Sequence, residues 1–116
     1  KTFAEWLVEL KGSPLLDLYE TLRAYILALG DDVQEKELKL YTSFRKIKNF
    51  SCVVLSKKSV TLYLRLNPES VPQMEPFMRD VRKIGHWATG DLEVSLTSPE
   101  QMRTVEPLIL RAYEES

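Results

Sequence analysis

The chain has 116 residues, 44% of them hydrophobic, and a formal net charge of −1, which suits one ordinary globular domain and excludes an intrinsically disordered tail. Its single cysteine, Cys52, rules out an internal disulfide and a four-cysteine zinc site. No apolar run reaches about 18 residues and no signal-peptide pattern is present, so no membrane contact is expected and a reducing cytoplasm is the expected location.

In chain order, Phe3, Trp6, Leu7 and Leu10 have helical spacing, and Lys11-Gly12-Ser13-Pro14 ends the segment. Residues 1–13 are read as a docked helix or a linker, ahead of a single α+β domain over 14–116. Leu15, Leu18, Leu22, Ile26 and Leu29 mark one face of an amphipathic helix that opens after Ser13-Pro14 and stops at Gly30. A weaker strand is expected over Leu38 to Phe44, with residues 45–49 as the turn after it. Phe50 to Leu55 and Val60 to Asn67 form a hairpin through Ser56-Lys57-Lys58-Ser59. In the second strand alternation points Val60, Leu62, Leu64 and Leu66 inward, with Thr61, Tyr63 and Arg65 outward.

The stretch with Pro72 and Pro76 predicts loop, with a helical turn near Phe77 to Val81. Asp91 to Leu96 alternates as a fourth strand. Ser98-Pro99-Glu100-Gln101 has the pattern of a capped helix start, and Pro107 predicts a kink or break in the helix that follows. The order predicts a roughly four-stranded antiparallel sheet, covered on one face by helices. Its other face is expected to be partly solvated and to carry Tyr63, Arg65 and lysines. Cys52, inside the apolar run 50–55, is expected to be a buried small hydrophobe.

The charge is segregated. Residues 36–65 hold eight cations against one acid, Glu37, whereas residues 1–35 and 91–116 each carry four more acids than cations. A basic middle between acidic ends attracts an anionic partner, or it hydrates the sheet and guards its edges. The densest polar motif runs from Arg79 to Asp91 and holds the only histidine, His86, beside Trp87. Gly85 and Gly90 would allow a tight excursion there, and Asp80 or Asp91 could orient the imidazole.

Tyr41 with Lys46 and Asn49-Phe50, Leu66-Asn67, Arg79-Asp80-Val81, the string Gly85-His86-Trp87-Ala88-Thr89-Gly90-Asp91, Pro107-Leu108-Ile109 and Ala112-Tyr113 together resemble a bacterial family of unknown function. That family is often labelled "predicted transport protein", and the resemblance covers about residues 15–114. It implies a domain that often ends a longer chain, sometimes behind an endonuclease-like or restriction-related region. A start at Lys1 rather than methionine fits a domain cut from such a chain. No catalytic residue comes with the resemblance, and the transport label has no support in a chain without a membrane span or ligand cage.

Enzyme readings are weak. A nucleophile elbow, phosphate-binding glycine strings, metal-ligand pairs and nuclease carboxylate clusters are all missing from the sequence. No catalytic residue, metal site or cofactor is therefore assigned. An undescribed enzyme centred on His86 with Asp80 and Asp91 stays as one alternative, and a structural or oligomerisation domain as another. The favoured expectation is an accessory module that binds nucleic acid or another polyanion. Lys46, Lys48, Arg65, Arg82 and Lys83 would meet phosphates, Tyr63 and Trp87 would stack, and Tyr41, His86 and Asp91 complete the candidate site.

Overall fold

The computed structural model describes residues 1–85 and 88–116. Helix α1 (Phe3–Glu9) opens with a capping box: the Thr2 hydroxyl accepts from the Glu5 N–H, and the Glu5 carboxylate accepts from the Thr2 N–H. Phe3 is buried edge-on to Tyr19, with ring centroids 5.7 Å apart, and Leu10 is buried too. The first residues thus belong to the same core as the rest. Helix α2 (Pro14–Leu27) is capped by Ser13, has Pro14 in its first turn, and buries Leu18, Tyr19, Leu22 and Ile26.

Six strands follow among the described residues, all antiparallel to their neighbours: β1 (Gln34–Glu37), β2 (Thr42–Arg45), β3 (Asn49–Leu55), β4 (Val60–Leu64), β5 (Met78–Asp80) and β6 (Leu92–Leu96). Their order across the sheet is β1-β2-β3-β4-β6-β5. The expectation of about four strands missed the two edges. All four residues of β1 are exposed, so an inside–outside hydrophobic period never forms there. β5 lies where a helical turn was expected; its three residues are extended and pair with β6. The strand expected over Leu38 to Phe44 is confined to β2, because Leu38 to Tyr41 form the turn before it, closed by Leu38 N–H to the Tyr41 carbonyl.

Val60, Leu62 and Leu64 pair in register with Leu55, Val53 and Ser51 on one side and with Leu96, Val94 and Leu92 on the other. This face meets the helices and forms the core with Leu22, Ile26, Val105 and Ile109. Helix α3 (Gln101–Glu114) runs through Pro107, so of the expected kink or break, the break does not occur. The Tyr25 hydroxyl donates to the Glu106 carbonyl beside that proline. At its start, Gln101 reaches back to accept from the N–H groups of Thr97 and Ser98, while among the described residues no side chain caps the first turn.

The opposite face carries a row across all six strands: Lys36, Ser43, Cys52, Tyr63, Glu93 and Arg79. Ser43 and Cys52 are buried, as are Val81 and Ala88, which lie outside the helix-side core. Burial is the main influence pushing the Cys52 thiol's pKa up, and the neighbouring Thr89 pulls it partly back. The face is therefore partly solvated, as expected, with Lys36 and Arg79 exposed at its edges, but its centre at Ser43 and Cys52 is covered.

Candidate functional site

Register decides which candidate residues meet. Arg45 pairs with Asn49, Leu64 with Ser51 and Leu92, and Leu92 with Asp80. Because strand direction alternates, the ends of β2, β4 and β5 and the starts of β3 and β6 share one end of the sheet. Lys46, Lys48, Arg65, Arg82, Lys83 and Asp91 all lie at that end. Tyr41 precedes β2 and so lies at the other end, with the Lys57-Lys58 hairpin tip. The basic middle segment is thereby split between two ends of the molecule. His86 and Trp87 lie outside the described residues.

Arg65, Arg82 and Asp91 line one cleft of about 460 Å³ with Leu66, Asn67 and Glu115. Arg65 is exposed, and among the described residues its guanidinium makes no hydrogen bond or ion pair. Its backbone is fixed by an N–H bond to the Phe50 carbonyl, and Asp91 N–H donates to the carbonyl of Leu64 next to it. Arg82 is already engaged: it forks onto Asp80, with its closest contact at 2.7 Å, and lies 3.7 Å from Glu69. The same contact holds the Asp80 carboxyl below its ordinary range, the Arg82 side-chain hydrogen bond being the largest cause. Asp80 is thus bound to Arg82, which competes with any role orienting an imidazole. Asn67 caps the short 3₁₀ turn Pro68–Ser70 through the Glu69 N–H, and the same oxygen accepts from Arg82 at 3.4 Å.

The end of α3 joins this cleft to the β2–β3 turn. Glu115 is in the cleft wall, while the Ser116 hydroxyl donates to the Lys48 carbonyl at 2.9 Å. Lys46 stands 4.7 Å above the Tyr113 ring, a cation–π contact, and that ring packs edge-on against Phe50. Two features here escaped sequence reasoning. Ile47, at the tip between Lys46 and Lys48, is 70% exposed, and Ile84, beside Lys83, is 44% exposed. An apolar residue flanked by cations in a turn was the available signal.

Tyr63 is half-buried on the face opposite the helices, and its hydroxyl donates to Glu93, which also takes two bonds from Arg79. Burial first, then the Glu93 hydrogen bond, pushes the phenol up to about 12. The loop behind it is held by Gly90, whose φ is +132°; a Cβ there would lie 2.9 Å from the Leu64 carbonyl oxygen. Gly85 has no left-handed φ. Among the described residues, no three of His, Cys, Asp or Glu gather at metal-binding range, and no helix is long and apolar enough to cross a membrane.

Comparison with known proteins adds a family. The model of the family described as "Domain of unknown function (DUF5655)" matches residues 9–116, and that description carries no transport role. An uncharacterised protein of Haemophilus influenzae is 26% identical over 99 residues, which cover 85% of this chain and 33% of that protein. The chain therefore spans about a third of the curated relative it matches. No solved structure matches it.

Proposed function

We propose that this chain, which belongs to the family described as domain of unknown function (DUF5655), is a non-catalytic binding module that holds nucleic acid at its strand-end cleft. The observation that carries the reading is Arg65: an exposed guanidinium, unpaired among the described residues, in the wall of a cleft that also contains Arg82. A phosphate would satisfy it with two parallel hydrogen bonds. Lys46, Lys48 and Lys83 extend the positive rim, and Ile47 and Ile84 offer apolar surface to bases. Asp91 and Glu115 in the same cleft favour a partner that brings donors as well as negative charge. A nucleotide does this through ribose hydroxyls and base amino groups; a bare anion does not. The length of the Haemophilus relative supports an accessory role inside a longer polypeptide, of the restriction-related kind that the family resemblance implies.

The test is fluorescence anisotropy with short single-stranded RNA, single-stranded DNA and duplex DNA at low salt. Arg65→Ala and the double variant Lys46→Ala/Lys48→Ala should weaken binding and lower the salt slope by roughly 0.7 per lost phosphate contact for single strands. Lys57→Ala/Lys58→Ala, at the far end, should leave both unchanged. Absence of binding by all three probes, or equal loss in the far-end variant, would refute the reading.

A further inference from the structure

A second surface, sharing no lining residue with the cleft, lies at the β1 edge. Among the described residues β1 is hydrogen-bonded to β2 alone, and all four of its residues are exposed. An open strand edge of this kind is a template for another strand. Its register pairs Glu35 with Phe44 and Glu37 with Thr42, placing both carboxylates on the helix side of the sheet. There they border a groove of about 490 Å³ between β1 and α2, floored by Leu7, Leu16 and Tyr19. Its one cation among the described residues, Arg23, is taken up by a two-bond fork onto Glu35 at 2.8 and 2.7 Å. Glu20 and Glu37 have no ion pair among the described residues, so the groove is left with net negative charge.

We propose that this groove receives an extended basic peptide segment of a partner protein, which adds to the sheet as a strand beside β1. Charge complementarity selects the occupant. Two copies of β1 placed edge to edge would bring like carboxylates together on the helix side, which disfavours a second copy of this chain. A strand with Lys or Arg at alternate positions would set its cations against Glu35 and Glu37. An apolar residue on the same face would lie over Leu16 and Tyr19. Backbone bonds would supply affinity and these side chains the selectivity.

The experiment is an NMR titration of the labelled chain with the peptide Thr-Lys-Thr-Lys-Thr-Leu-Thr and its counterpart with Glu in place of Lys. The basic peptide should bind and shift the amides of residues 34–37, and the acidic one should not. Glu20→Lys/Glu37→Lys, two exposed positions whose change leaves the core intact, should weaken the basic peptide about tenfold. Arg65→Ala should bind it like the parent, so a failure at the cleft and a failure here are read separately. Equal binding of both peptides, no binding of either, shifts confined to other residues, or parent-like affinity in the double variant would each overturn the proposal. Concentration-dependent dimers that the double variant abolishes would assign the edge to self-pairing instead.

Discussion

Tyr63 and Glu93 face each other across the β4–β6 pair, the phenol donating to the carboxylate at 2.8 Å while Arg79 binds the same group from β5. Three adjacent strands are tied at one carboxylate. The phenol's pKa, pushed up to about 12, lies above the ordinary value of 10, so the folded state holds this proton more tightly than the unfolded chain. The stability this contributes is fully present below pH 10 and is lost as pH rises through about 12. Ultraviolet titration of the parent against Tyr63→Phe should locate this late-ionising phenol. Glu93→Gln should move its midpoint down, yet keep it above the ordinary value, because burial is the larger cause.

Gly90→Ala should destabilise the chain by about 1–3 kcal/mol, since a left-handed φ and a close carbonyl both oppose a side chain. Gly85→Ala, with no neighbour within 4 Å of the added methyl among the described residues, should cost much less. Urea denaturation of the two variants checks the contrast.

Ser51 points into the helix-side core, and its hydroxyl, fully buried, has no hydrogen-bond partner among the described residues. An unsatisfied buried hydroxyl costs about 1–3 kcal/mol, so Ser51→Ala should be neutral or stabilising, a direction rare for a core position. The midpoint of chemical unfolding reads this directly.

Phe3→Ala should cost about 3–5 kcal/mol despite its place near the start of the chain, because the ring is buried against Tyr19. A loss under about 1 kcal/mol in thermal or urea unfolding would mean that α1 is a loosely attached appendage.

The parts of the fold legible in the sequence are those whose period burial enforces. Leu18, Leu22 and Ile26 mark α2, and Val60, Leu62 and Leu64 mark β4, because one face of each meets the core. β1 and β5 lie at the edges, where backbone pairing to a neighbour makes the strand, and no side-chain alternation records it. Pro107 does not break α3 for a related reason: a proline removes one backbone donor, but Leu108, Ile109 and Ala112 still bury the following turn. At the cleft, Arg65, Arg82 and Asp91 were readable as polar outliers near strand ends. Asn67 and Glu115 were not, since only strand register and the packing of α3 bring them beside those three. The covered centre of the face opposite the helices escaped because nothing in the alternation of β3 foretells that Thr89 neighbours Cys52.

The attachment of Ser116 to Lys48 has a practical corollary for handling the molecule. A purification tag, dye or fusion partner joined after residue 116 would be tethered at the mouth of the cavity whose occupancy is to be measured. The Phe3 N–H instead binds the Lys39 carbonyl, at the far end of the sheet. Labels placed ahead of Lys1 would leave that mouth unobstructed.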